Sequence, residues 1–198
     1  MMSEQGYSFE RELKEAQAMV EGLVPYVYED ELYGKLGMNM PRLTIGGLLM
    51  RLRRLRALAG QMNAVDQVAQ LDTRHASLRQ EWALAYSKKL LREAESRMRD
   101  MQTYFVECRD DPKLGANAYL PEAQRRTILH EIAAALSPSD VEQSKLDSKL
   151  RRVDSDLRRI VRPSEFVWAD VLKPVYPAET FWWLYQRPPQ PNDNRDAR

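Results

Sequence analysis

Asn63 to Arg109 reads NAVDQVAQLDTRHASLRQEWALAYSKKLLREAESRMRDMQTYFVECR, with no proline or glycine in it. An unbroken helix of this length would run about 70 Å, roughly twice the width of a compact domain. Its apolar stripes therefore need other helices, or a second subunit, to cover them. Ala64, Val68, Leu71, His75, Leu78, Trp82 and Ala85 follow steps of four and three, and so do Leu91, Ala94, Met98, Met101, Phe105 and Cys108. The second stripe lies roughly 120–140° around the helix from the first. One helix showing its two halves to different neighbours is the preferred reading, and a kink near 83–87 is the alternative.

Outward from this stretch, further helices are predicted at 8–23, 44–59, 121–136 and 138–161. Ser8 caps the first, whose stripe is Phe9, Leu13, Ala16 and Val20 and which Pro25 ends. Thr44 caps the second, with Ile45, Leu48, Leu52, Leu55 and Ala59 inward; Asn63 restarts the chain after a turn at Gly60. Pro121 opens the fourth helix, and Ser137-Pro138 the fifth. The fifth carries a narrow seam of Leu146, Leu150, Val153, Leu157 and Ile160, of coiled-coil type. Residues 24–40 and 110–120 read as irregular connections; alternation at Tyr26, Val27 and Tyr28 allows a short extended piece, against which stands the lack of any partner strand in this chain. Two short helices are expected at 164–172 and 178–185, within 164–186, and a disordered tail at 188–198.

The reading is an all-α protein: an elongated antiparallel helical bundle around one long helix, forming a single domain over 1–187. Leu, Ala, Glu, Arg and Gln recur throughout, and glycines number only eight. Formal charge is +1, so bulk electrostatics recruit neither nucleic acid nor membrane. A single cysteine, Cys108, excludes an internal disulfide and a cysteine pair for zinc. The polar start MMSEQGYSFERELKE lacks a signal-like segment, and no run of 18 apolar residues occurs; a cytoplasmic location is expected.

Several stretches invite a functional reading. Arg51, Arg53, Arg54 and Arg56 form an anion-binding candidate, against the plainer reading that they are solvated or pair with Glu29, Asp30 and Glu31. Arg125, Arg126, Arg151 and Arg152 would extend it as a nucleic-acid surface. Gly46-Gly47 would let an anion reach free amides, though close helix packing is the preferred explanation. His75 and His130 are the only histidines, and a bundle metal site or enzyme around them is the third reading. His75 sits on an apolar seam, which favours a hydrogen-bonded core histidine. Cys108 likewise reads as a small buried residue. Nucleotide-binding and nucleophile-elbow fingerprints are lacking, so no catalytic residue, metal or cofactor is predicted.

The segment SEFVWADVLKPVYPAETFWWLYQRPP carries the most pointed expectation. Trp168, Phe181, Trp182, Trp183 and Tyr185 either close this chain's own bundle or anchor in another protein. The expected function is accordingly a non-catalytic helical interaction or scaffold protein, its partner another protein or a second copy.

Overall fold

A computed structural model describes residues 6–136 and 141–189. The fold is all-α. The chain forms two compact units, Met1–Ala94 and Glu95–Arg198, and each is described by itself.

In the first unit, α1 (Phe9–Glu21) begins where the Ser8 hydroxyl accepts the Arg11 amide at 3.2 Å, and it buries Phe9, Leu13, Ala16, Met19 and Val20. The helix breaks at Gly22 rather than at Pro25. Pro25 falls in the first turn of a second helix, α2 (Leu23–Tyr28), where a missing amide costs nothing. The irregular connection expected from Val24 is thus helical as far as Tyr28. Tyr26 is buried and donates its hydroxyl to Leu32 O at 2.7 Å. The following connection closes on itself through a reciprocal backbone pair between Gly34 and Leu43. Gly34 is required there, because a Cβ would stand 2.8 Å from the Tyr26 ring.

Helix α3 (Ile45–Leu58) starts at Thr44, whose hydroxyl accepts from Gly47 N at 3.1 Å. Asn63 does not cap the next helix. It takes a left-handed conformation (φ 52°) that asparagine tolerates, and closes the turn between α3 and α4 (Val65–Glu81).

The expected helix 63–109 is divided at Trp82 (φ −109°, ψ 27°), between α4 and α5 (Ala83–Asp110). Backbone bonding continues on both sides, from Trp82 N to Leu78 O and from Tyr86 N to Trp82 O. No helix breaker causes this. Trp82 packs its ring edge-on against Tyr28 at 5.0 Å, and tertiary packing outweighs a modest helix propensity. Both apolar stripes are recognisable. Ala64, Val68, Leu71 and His75 are buried along the first, and Ala94, Met98, Met101, Phe105 and Cys108 along the second. The second stripe begins at Leu90, with Leu91 only half-buried.

In the second unit the expected loop 110–120 holds a one-turn helix, α6 (Pro112–Asn117), which leads into α7 (Tyr119–Ala135). Helix α8 (Val141–Ile160) buries Leu146, Leu150, Val153 and Leu157. The Ser137-Pro138 cap lies outside the described residues. The short helices expected at 164–172 and 178–185 are instead 3-10 turns at Asp170–Val175 and Trp182–Tyr185. Prolines 174, 177 and 188 remove the amides that longer helices would need. Arg162–Pro163 (β1) pairs antiparallel with Gln186–Arg187 (β2), tying this segment's two ends together. Pro188, placed by the sequence reading in a disordered tail, is buried; positions 190–198 lie outside the described residues. Among the described residues no helix is long and apolar enough to cross a membrane.

Candidate functional site

The arginines of α3 reach carboxylates on neighbouring helices. Arg51 donates Nε and Nη2 to Glu15 at 3.1 and 2.9 Å, and Nη1 to Gly47 O at 3.2 Å. Arg54 meets Glu12 at 3.1 Å, and Arg56 forms a two-bond fork with Asp72 at 2.8 Å each. Arg53 is half-buried on the same helix. The partners come from α1 and α4, so for Arg51, Arg54 and Arg56 the alternative of pairing with Glu29, Asp30 and Glu31 is corrected. The acidic run is held differently. Lys89 donates to the backbone carbonyls of Glu29 and Glu31, and Arg92 to that of Asp30.

Between α1 and α3 the ion pairs line a cleft of about 470 Å³, with Tyr7, Ser8, Arg11 and residues 39–41 on its rim. Its two carboxylates are driven apart. Burial pushes the Glu12 carboxyl up despite Arg54 and Arg51. Burial also acts on Glu15, but hydrogen bonds from Arg51 and Arg11 outweigh it and hold that carboxyl below the usual range. The guanidiniums are spent on these internal partners, which leaves little for an external anion.

Gly46-Gly47 does attract an anion, and the anion is Glu93 of the same chain. Its fully buried carboxylate accepts from Gly46 N at 2.8 Å, while Thr44 takes Gly47 N. His75 is buried, with Nε2 2.9 Å from the Tyr86 hydroxyl. Burial, reinforced by Arg56 and Arg79, lowers its pKa to about 4. His130 packs edge-on against Phe181 at 4.6 Å. Among the described residues no group of three or more His, Cys, Asp or Glu side chains converges as metal ligands would.

The aromatic segment folds onto its own unit. Trp183 is buried, donates Nε1 to the Thr127 hydroxyl at 2.9 Å, and accepts at its carbonyl from the Tyr119 hydroxyl at 2.6 Å. The Arg126 guanidinium covers the Trp183 ring at 4.1 Å, forked on Asp154 at 2.6 and 2.9 Å. Arg158 lies 4.2 Å over Trp182. Phe181 is buried against Tyr176 and Trp183, while Trp168, Trp182 and Tyr185 are half-buried. Phe181 and Trp183 are therefore unable to meet another molecule unless the segment opens. Arg125 is paired with Glu122 and Asp100; Arg151 and Arg152 are exposed on α8.

Two groupings escaped the sequence reading. One is the Tyr28–Trp82 pair, where Tyr28 is 62% exposed and the Trp82 indole N–H is enclosed without an acceptor. The other is buried in the second unit. Glu122 on α7 faces Tyr104 and Cys108 of α5, with the thiol packed on Gly115. Burial raises the Cys108 thiol pKa, the opposite of what a nucleophile needs. No family model matches the chain, and no curated protein or solved structure matches it.

Proposed function

We propose that the chain is a non-catalytic helical interaction protein that recognises another protein through the surface around Trp82. One observation carries the reading: on the first unit Tyr28 is exposed as a large aromatic surface, braced edge-on at 5.0 Å by the half-buried Trp82. Tryptophan and tyrosine are the side chains that dominate interface energetics. Next to Tyr28, the exposed side chains of Glu29, Asp30 and Glu31 stand on a backbone fastened by Lys89 and Arg92, which favours a partner with basic groups.

Arg51, Arg54 and Arg56 are committed to carboxylates of the same unit and His75 to Tyr86, which speaks against the anion-binding and enzyme readings. A photo-crosslinking residue placed at Tyr28 of the full chain, in its native cells, tests the proposal. A discrete adduct is expected that Trp82→Ala abolishes and that the same residue at exposed Val171 does not give. A mass of two chains would name a second copy as the partner. Adducts no different from the Val171 control would overturn the reading.

A further inference from the structure

We propose that Glu122 is a proton-operated latch at the corner formed by α5, α6 and α7. With the carboxyl neutral the corner closes over Cys108; with it ionised, α6 is released. The geometry is that of a carboxyl which holds a charge poorly. Glu122 is 3% exposed, and its Oε1 contacts Arg125, whereas Oε2 is enclosed with no donor. Arg125 is shared with Asp100 at 3.5 Å and is itself partly exposed. From α5, Asp100 and Glu107 oppose a negative charge, and Tyr104 and Cys108 supply no cation. On α6 the Gly115 carbonyl accepts from the Tyr104 hydroxyl at 2.8 Å and Gly115 packs on Cys108, while Lys113 is exposed. On α7 itself stand Tyr119 and Arg126, the latter already forked on Asp154.

Burial accordingly moves the carboxyl up to about 7, the neighbouring acids adding to it and Arg125 opposing. Ionisation inside the closed corner strands an enclosed oxygen with no protein donor. The cheapest relief is to move the smallest element. Helix α6 has six residues, and its Gly115 meets Cys108 with no slack, a Cβ there standing 2.4 Å from Sγ. Its displacement admits water to the Glu122 carboxylate and uncovers the thiol. The proton leaves to solvent and returns on acidification, so the device is reversible.

Amide hydrogen exchange of the full chain between pH 5.5 and 8, corrected for intrinsic rates, tests the latch on peptides covering 111–122. If the open corner restores an ordinary carboxyl, its opening equilibrium rises about 25-fold over this range. Glu122→Gln is expected to flatten the rise. Arg125→Leu, which removes the one touching cation, is expected to move it to higher pH, and it reads the latch even if the glutamine variant fails to fold. A flat wild-type profile, a rise that persists in Glu122→Gln, or an Arg125→Leu profile with an unmoved midpoint would overturn the proposal.

Discussion

Gly46 and Glu93 stand 47 residues apart, yet the carboxylate of one caps the amide of the other inside the first unit. His75 and Tyr86 are joined in the same way across the Trp82 break. Both cases show polar residues that a sequence presents as reactive being used as fasteners. The difference has a measurable consequence at His75. Its folded pKa of about 4 lies below the ordinary 6.5, so the folded state binds fewer protons than the unfolded one between those values. The stability His75 contributes is complete above pH 6.5 and lost as pH falls through 4, amounting to about 3 kcal/mol. NMR titration of the ring is expected to leave it neutral at pH 5; an apparent pKa near 6.5 would show that it is not enclosed.

At the scale of elements, seams were readable and joints were not. Helices α1, α3, α7 and α8 follow from apolar spacing and from caps at Ser8 and Thr44, which act through local amides. At the Trp82 break the ring packs on Tyr28, 54 positions earlier, and nothing local announces the break. Helices α2 and α6 are too short for periodicity to reveal, and a proline inside the first turn of each resembles a stop signal. The joint between α5 and α6 is the tightest: Gly115→Ala would press a methyl onto Cys108 Sγ and stand 3.2 Å from its Cα. Thermal unfolding is expected to show a loss of about 1–3 kcal/mol. An unchanged midpoint would mean that α6 does not pack where the structure puts it.

For the molecule as a whole, composition was enough to give the all-α class, because a charged, leucine- and alanine-rich chain with few glycines has little material for sheets. The site was far less legible. Arg51, Arg54 and Arg56 read as a basic patch until Glu15, Glu12 and Asp72 are folded against them from other helices. Phe181 and Trp183 read as anchors until Thr127, Tyr119 and Arg126 close around them. Such partners lie tens of residues away, beyond the reach of helical spacing. Trp82 was legible only as one more seam position, although the structure sets it half-buried behind the exposed Tyr28.

This chain turns Phe181, Trp183 and His75 inward and leaves Tyr28 outward, braced on Trp82. Hydroxyl-radical footprinting of the native full chain, read by mass spectrometry, reports both halves at once. Tyr28 is expected to oxidise at close to its unfolded rate, while Trp183, Phe181, Tyr176 and Tyr86 stay protected. Oxidation of Trp183 and Phe181 as fast as Tyr28, or a protected Tyr28, would contradict the account.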